Sequence, residues 1–258
     1  MYESQREACI AAAKAGGQVL MKYFRRLDPA SITEKSKNDF VSEADRASEA
    51  VIKAELDRRF PQYSFLGEET GAFGDHARCW IVDPLDGTLN FVNGFPHWCV
   101  SVALWDASGG VVGCIYDPLR EDLFVATRGE GATWNDQPMS ISQHAGLDGA
   151  FIATGFAFQL GERFHAYNRA LTAVFFRARG LRRAGSAALD LAHVACGIFD
   201  GFFEMSLKKW DLAAGALLVQ EAGGMVTDWA GGETWFETGD VVAGNLWVQQ
   251  NLVDVLKN

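Results

Sequence analysis

Residues 79–91 read CWIVDPLDGTLNF, an apolar strand that runs directly into two closely spaced acids. The apolar run predicts a buried strand that ends near Val82. Asp83 follows this strand, Pro84 restricts the backbone, and Asp86 returns a second carboxylate to the same small volume. Two such carboxylates repel each other unless they stay solvated, share a proton or hold cations, and an oxygen-only ligand set favours Mg²⁺ over zinc.

The residues after this acidic turn could bind an anion. Gly87 and Thr88 stand where a helix could begin, so their backbone N–H groups would be free to bind an anion beside the two acids. A cation site and a phosphate site would then be neighbours. The alternative is a strand followed by an ordinary Asp-rich turn, which is common in proteins, and the stretch alone leaves both interpretations open.

Length and composition indicate a globular protein. The chain has 258 residues, of which 48% are hydrophobic and 22% charged, so it can bury a large core. Its net charge of −10 opposes general binding to nucleic acid or to an anionic membrane. The five cysteines include no C-x-x-C pair, which favours reduced core thiols over disulfides or a zinc cluster. Without a signal-peptide pattern or a long apolar run, we expect a cytoplasmic protein and no membrane contact.

The order of the predicted elements changes near Leu147. Before it, two amphipathic helices precede a short strand and an antiparallel meander at about residues 98–134. The glycine-punctuated segment 71–76 between them is predicted to be a mobile loop. After Leu147, strands and helices alternate. We therefore predict two parts, residues 1–146 and residues 147–258.

Acidic residues recur at the ends of the predicted elements. Each has an ordinary explanation: Asp45 could form a capping box with Ser42, and Asp211 could cap its helix. A fold that brought several of these acids together would instead supply a site for two or three Mg²⁺ ions. The acids in question are Asp45, Glu68, Asp83, Asp86, Glu204 and Asp211.

Four motifs carry a resemblance to a known family. WIVDPLDGTLNF at 80–91 matches the first signature of the family, and WDLAAG at 210–215, followed by EAGG, matches the second. GEE at 67–69 and GSAALD at 185–190 also match. On these motifs nearly the whole chain resembles the inositol monophosphatase family of Mg²⁺-dependent, lithium-sensitive phosphatases, and in particular its bacterial members.

The resemblance implies a fold and a class of substrate. The expected fold is α/β (α+β), a layered αβαβα sandwich of the sugar-phosphatase type. An N-terminal α+β part with a large antiparallel sheet would supply most metal ligands, and a C-terminal α/β part would supply the rest. The expected partners are a small-molecule phosphate monoester and a second copy of the chain in a homodimer.

The resemblance also implies a set of metal ligands. Carried over by position, it assigns one Mg²⁺ to Glu68, Asp83 and the carbonyl of Leu85. A second Mg²⁺ falls to Asp83, Asp86 and Asp211, so that Asp83 bridges the two ions. A third, weaker ion would lie near Glu68.

The catalytic and substrate-binding residues follow from the same comparison. Thr88 would lie beside the nucleophilic water, Asp45 would accept a hydrogen bond from the Thr88 hydroxyl, and Glu68 would act with the metal. The backbone N–H groups of Gly87 and Thr88 would hold phosphate oxygens. The predicted substrate-binding residues are Asp86, Gly87, Thr88, Ala187 through its backbone, Glu204 and Asp211.

The substrate is predicted from two features. LNF at 89–91 resembles the inositol branch of the family rather than its nucleotide branch. The carboxylate of Glu204 would accept hydrogen bonds from polyol hydroxyls and would repel a second phosphate. We therefore predict hydrolysis of myo-inositol 1-phosphate, with 3′-phosphoadenosine 5′-phosphate, fructose 1,6-bisphosphate and histidinol phosphate as alternatives.

A binding role for macromolecules, with catalysis secondary, is an alternative of a different class. Arg179, Arg182 and Arg183, with Lys208 and Lys209, could form basic patches on an otherwise acidic chain. A solvated or dimer-contacting surface explains the same residues, and we favour that interpretation. A nucleic-acid or protein partner is therefore possible but not indicated.

Overall fold

The chain has a long run of consecutive strands in its first part and alternating strands and helices after it. The computed structural model describes residues 1–27, 33–36, 39–41, 43–74, 77–156 and 161–257, and for 33–36 and 39–41 the backbone only. In chain order the elements are α1 (Glu3–Tyr23), β1 (Thr33–Ser36), β2 (Asp39–Val41), α2 (Glu43–Arg59), β3 (Ser64–Gly67), β4 (Gly71–Phe73), β5 (Arg78–Asp86), α3 (Thr88–Val92), β6 (Cys99–Asp106), β7 (Gly109–Asp117), β8 (Asp122–Thr127), β9 (Gly131–Trp134), β10 (Gln137–Pro138), β11 (Phe151–Thr154), α4 (Arg163–Phe175), β12 (Gly180–Arg182), α5 (Ala187–Ala195), β13 (Gly201–Glu204), α6 (Lys209–Glu221), β14 (Met225–Thr227), α7 (Trp235–Thr238), β15 (Val241–Gly244) and α8 (Leu246–Leu256).

The first large sheet has eight strands in the order β10-β9-β8-β7-β6-β5-β3-β4. From β5 to β10 all neighbours are antiparallel, as the predicted meander requires, whereas β3 runs parallel to β5. Helices α1 and α2 cover one face of this sheet, and α6 covers the other. A separate hairpin of β1 and β2 lies before α2.

The second large sheet has five strands in the order β12-β11-β13-β15-β14. Strand β11 is parallel to both of its neighbours, and the remaining pairs are antiparallel. Helices α5 and α6 lie between the two sheets, while α4 and α8 pack on the outer face of the second. The layers are therefore helix, sheet, helix, sheet, helix, which confirms the predicted αβαβα sandwich.

The middle layer depends on small side chains. Helix α6 is lined with buried alanines, and Gly215 faces α5 so closely that a Cβ atom there would lie 2.6 Å from Leu191 Cβ. The core around α5 and α6 contains side chains from both sheets, including Ile81 on β5 and Ala153 on β11. Because the layers pack this closely, the start of α6 lies beside the end of β5.

Several local expectations differ from the structure. Residues 71–73 form β4, which pairs with β3, because the glycines there allow a tight antiparallel return instead of an open loop. The predicted acidic turn is part of β5, which continues to Asp86 through an irregularity in its pairing with β6. Ser42 of the predicted capping box and residues 75–76 of the predicted loop lie outside the described residues.

Two other expectations concern the whole chain. All five cysteines are free in the structure, and Cys9, Cys99 and Cys114 are buried. Within the ranges given above, no helix is long and apolar enough to cross a membrane. The division after residue 146 stays a prediction.

Gly215→Ala tests the packing of the middle layer. Alanine favours a helix over glycine by about 1 kcal/mol, but its Cβ would overlap Leu191, and overpacking costs about 1–3 kcal/mol. We expect a net loss of stability, measured as a lower urea midpoint at unchanged m-value. Gln220→Ala, at an exposed position of α6, is the control and should leave the midpoint nearly unchanged. An equal or higher midpoint for Gly215→Ala would contradict the close approach.

Candidate active site

Three carboxylates from distant parts of the chain meet where β5 ends. Asp83 and Asp86 lie on β5, and Asp211 lies in the first turn of α6. One side-chain oxygen from each of them lies within 4.8 Å of the other two. Asp83 is 2% exposed and Asp86 9%. The structure thus brings together three of the acids that the sequence analysis grouped as metal ligands.

The irregularity in β5 explains why Asp83 and Asp86 share one face. Asp83 pairs with Ser101 and Asp86 with Cys99, so β5 has one more residue than β6 across this step. In a regular strand, residues at an odd spacing point to opposite faces, and the extra residue of a β-bulge corrects this. The backbone N–H of Leu85 donates to Asp83 Oδ1 at 2.9 Å and stabilises the bulge.

Asp86 links the two large sheets. Its Oδ2 accepts hydrogen bonds from Ser186 Oγ at 2.6 Å and from the backbone N–H of Ala188 at 2.7 Å. Ser186 is also the N-cap residue of α5 and accepts a bond from the N–H of Leu189. The start of α5 therefore holds Asp86 in place from the far side of the site.

Asp211 is held by its own helix. Its Oδ2 accepts a hydrogen bond from the backbone N–H of Lys208 at 2.7 Å, as the acid of a capping box does. Helix α6 begins at Lys209, earlier than the sequence predicts, so Asp211 lies within the first turn rather than at the N-cap. The capping interaction fixes the direction of the carboxylate without excluding a second role.

Glu68 lies beside Asp83 without joining the group of three. Strand β3 pairs in parallel with β5, and the N–H of Glu68 donates to the carbonyl of Val82 at 3.2 Å. The negative charge of Glu68 is close enough to raise the pKa of Asp83. This arrangement is compatible with the predicted ligand role of Glu68, which stays a prediction.

Thr88 and Asp45 are in contact. The hydroxyl of Thr88 lies 3.2 Å from Asp45 Oδ1 and 3.0 Å from the carbonyl oxygen of Leu85, and its one proton can be given to either acceptor. Asp45 is fully buried on α2. Gly87, with φ at +94°, adopts the left-handed conformation that lets α3 begin at Thr88 directly after β5.

A small cavity of about 120 Å³ is lined by two of the three acids, Asp86 and Asp211. Glu204 reaches it from the end of β13, and its Oε2 lies so close to Gly155 that a Cβ atom there would be 2.0 Å away. Ala187, the first residue of α5, also lines it. The lining residues are Asp86, Gly155, Arg183, Gly185, Ser186, Ala187, Asp190, Glu204, Leu207 and Asp211.

Asp190 and Arg183 line the cavity, although the sequence predicts a role in the site for neither. Asp190 is 1% exposed, and among the described residues its Oδ1 has no hydrogen-bond partner. The signal was present, because Asp190 ends the GSAALD motif, but an acid in the first turn of a helix has an ordinary explanation. Arg183, which the sequence analysis assigned to a surface patch, lines the cavity, whereas Arg179 and Arg182 lie against the ring of Phe151.

A family model and several relatives match this chain. The model described as the inositol monophosphatase family matches residues 1–256. A curated protein of Xylella fastidiosa named "Nus factor SuhB" is 42% identical over 96% of this chain and 92% of its own length.

Solved structures agree with the fold. The extragenic suppressor protein suhB of Bartonella henselae superimposes with a TM-score of 0.93 at 40% identity, covering 98% of each chain. An inositol monophosphatase from Anabaena superimposes with a TM-score of 0.88 at 37% identity, covering 99% of this chain and 96% of that one.

The electrostatics of the site favour cation binding. Burial, together with the charges of Glu68 and Asp86, raises the pKa of Asp83 well above its ordinary value. Burial raises the pKa of Glu204 to about 8, and burial with the charge of Asp86 raises that of Asp211 to about 8. Without cations these acids therefore prefer to hold protons. Because the grouped donors are all carboxylate oxygens, they fit a hard divalent cation such as Mg²⁺.

The raised pKa values predict how stability depends on pH. Unfolded Glu and Asp titrate near 4.5 and 3.8, so between pH 6.5 and 8 the folded state binds more protons than the unfolded state. In EDTA, stability should therefore fall over this window, by about 1 kcal/mol per pH unit for each of the two groups. Burial lowers the pKa of His97 to about 4 and also lowers that of His193. Because unfolded His titrates near 6.5, these two residues oppose the fall in stability only at the lower end of the window.

Unfolding temperatures in EDTA and in Mg²⁺ measure this effect. Mg²⁺ competes with the protons, so its stabilisation should be larger at pH 8 than at pH 6.5. Glu204→Gln should reduce the slope seen in EDTA, and Asp148→Asn, at an exposed surface position, should leave it unchanged. If the stability of the unmodified protein in EDTA stays constant or rises between pH 6.5 and 8, the raised pKa values are contradicted.

Proposed function

The chain belongs to the inositol monophosphatase family, and from that premise we propose that it is a Mg²⁺-dependent phosphomonoesterase that hydrolyses myo-inositol 1-phosphate. The observation that carries the proposal is the meeting of Asp83, Asp86 and Asp211 beside a cavity that Glu204 lines. Such a cluster without cations would repel a phosphate dianion, so the same residues have to hold metal before they can admit the substrate.

The metal ligands follow the predicted assignment. Glu68, Asp83 and the carbonyl of Leu85 would hold one Mg²⁺, and Asp83, Asp86 and Asp211 a second, with a third and weaker ion near Glu68. When bound, Mg²⁺ would supply positive charge that attracts the phosphate, activates water and stabilises the leaving alkoxide.

The residues around the cluster would orient the reactants. If Asp45 accepts the hydroxyl proton of Thr88, the oxygen of Thr88 is free to accept a hydrogen bond from the attacking water. This bond would point a lone pair of the water toward phosphorus. The N–H groups of Gly87 and Thr88 would donate to phosphate oxygens and hold the ester in line with the water.

The cavity favours a polyol as the leaving group. Carboxylates accept hydrogen bonds from hydroxyl groups, and Glu204 and Asp190 both line the cavity. Asp190 Oδ1, which has no hydrogen-bond partner among the described residues, gains from any hydroxyl that reaches it. When these two acids are ionised they would repel a second phosphate, which disfavours the bisphosphate alternatives.

Asp83→Asn tests the proposed chemistry. The amide keeps the shape of the side chain but removes the charge of the bridging carboxylate, so we expect phosphate release from myo-inositol 1-phosphate to fall by at least about 10³-fold. Circular dichroism should show an unchanged fold. Asp148→Asn removes an exposed charge far from the cluster and serves as the control. Near-normal turnover by Asp83→Asn would rule out the assignment.

A substrate panel tests the proposed specificity. With Mg²⁺ present, kcat/KM for myo-inositol 1-phosphate should exceed that for 3′-phosphoadenosine 5′-phosphate, fructose 1,6-bisphosphate and histidinol phosphate. Glu204→Gln should reduce it about tenfold, because the amide is a weaker acceptor of hydroxyl hydrogen bonds than the carboxylate. Hydrolysis of p-nitrophenyl phosphate, which has no ring hydroxyls, should change little. A preference for one of the other substrates contradicts the proposal.

A second candidate function is the binding of macromolecules. The observation in its favour is that similar proteins, including that of Xylella fastidiosa, are named Nus factor SuhB. Arg179 and Arg182 are both exposed arginines that lie against Phe151, at 5.9 Å and 4.6 Å from its ring centre. A pull-down that recovers a stoichiometric partner with Asp83→Asn, and loses it with Arg179→Ala and Arg182→Ala, would support this role.

Lithium sensitivity, a homodimer and a cytoplasmic location stay predictions.

A further inference from the structure

Helix α2 contacts three separate segments of the candidate site. The carboxylate of Asp45 lies within hydrogen-bond distance of the Thr88 hydroxyl, and one turn later Ser48 Oγ donates to the carbonyl of Pro84 at 2.9 Å. Glu49, the next residue, accepts a hydrogen bond from the backbone N–H of Glu69 at 2.9 Å. Neither Ser48 nor Glu49 was singled out from the sequence, because an interior helix residue without a motif carries no signal of its own.

The surroundings of Glu49 are unusual for a carboxylate. The residue is 1% exposed. Its Oε2 accepts the bond from Glu69, while Oε1 is buried and has no hydrogen-bond partner within the part of the chain that the structure describes. Burying a carboxylate with so few partners costs several kcal/mol, so a glutamate at this position needs a reason beyond packing.

The turn that Glu49 contacts is shaped to receive it. Gly67 is the last residue of β3, and a Cβ atom there would lie 2.3 Å from Glu49 Oε2 and 2.7 Å from its Cδ. The carboxylate therefore lies directly against the backbone of Gly67 while it binds the N–H of Glu69. Glu68 stands between these two contacts, and its own N–H is bonded to the carbonyl of Val82 on β5.

We propose that Glu49 is a positioning residue that holds the turn after β3 so that Glu68 faces Asp83, and that it thereby sets the affinity of the site for Mg²⁺. The inference rests on the proposed function only in taking Glu68 as a metal ligand. Glu49 itself touches neither metal nor substrate in this account. Its hydrogen bond, rather than its charge, does the positioning.

This distinction separates two substitutions. In Glu49→Gln the amide oxygen can still accept the N–H of Glu69, so the turn should keep its shape. In Glu49→Ala that N–H loses its acceptor and the side chain leaves a void, so Glu68 gains freedom before metal binds. Groups that orient metal ligands typically contribute about 10–100-fold to metal affinity.

Titration of the purified protein with Mg²⁺, with the heat of binding measured by calorimetry, tests the proposal. We expect the Kd for Mg²⁺ to rise about tenfold or more in Glu49→Ala and to stay within about threefold of the unmodified protein in Glu49→Gln. Ile52→Val is the matched control, because Ile52 is a fully buried residue of the same helix. It should lower the unfolding temperature in EDTA and leave the Kd unchanged. If the role of Glu49 were merely structural, Glu49→Ala would give the same two results.

Three results would overturn the proposal. They are an unchanged Kd in Glu49→Ala, a Kd in Glu49→Gln as weak as in Glu49→Ala, and a loss of affinity in Ile52→Val as large as in Glu49→Ala. If Glu49→Ala does not fold, Glu49→Asp replaces it. The shorter side chain withdraws its oxygens from the N–H of Glu69, so it should lower the affinity for Mg²⁺ in the same way. If the protein binds Mg²⁺ but hydrolyses no phosphate monoester, the proposed function fails, while these titrations still decide the role of Glu49.

Discussion

Mutual repulsion among buried carboxylates is the constraint on which the candidate site depends. Asp83, Asp86 and Asp211 have oxygens within 4.8 Å of one another, and Glu68 adds its charge to theirs. Left to itself, such a cluster would separate or take up protons. The fold prevents separation because each carboxylate is tied to its own backbone neighbour or to a partner element. The remaining ways to relieve the repulsion are protonation and cation binding, and this competition is what links stability, pH and metal in this protein.

The same contacts that hold the acids also join the two large sheets. Asp86 on β5 is bonded to Ser186 and Ala188 at the start of α5. The side-chain amide of Asn90, which follows Asp86 in the chain, donates to the carbonyls of His97 and Ala184. The cavity beside the acids is therefore built at a junction, with Asp86 from the first sheet, Asp211 from α6, Ala187 from α5 and Glu204 from the second sheet.

Prediction from the sequence succeeded where a pattern is local. The strand before Asp83, the antiparallel meander and the alternation after Leu147 all follow from apolar periodicity and turn residues, and the structure has them with shifted ends. Prediction failed where the pairing of strands decides the local structure. Residues 71–73 form a strand only because β3 lies beside them, and the acidic turn is a bulge only because β6 continues opposite it. Arg183 is exposed, as a surface patch requires, but its place in the lining of the cavity was not predicted, because a charged residue gives no sign of which cavity it faces.

The sequence by itself determined the residue types and their motifs: two acids after a strand, a third at a helix start, and family signatures spread between residues 67 and 224. Tertiary structure alone decided that Asp83 and Asp86 point the same way, that Asp211 meets them, and that Glu49 and Asp190 lie where they can affect the site. The physical reason is that side-chain direction in a strand depends on its pairing, and the distance between residues far apart in the chain depends on how α5 and α6 pack between the sheets. Neither quantity is encoded in a local pattern.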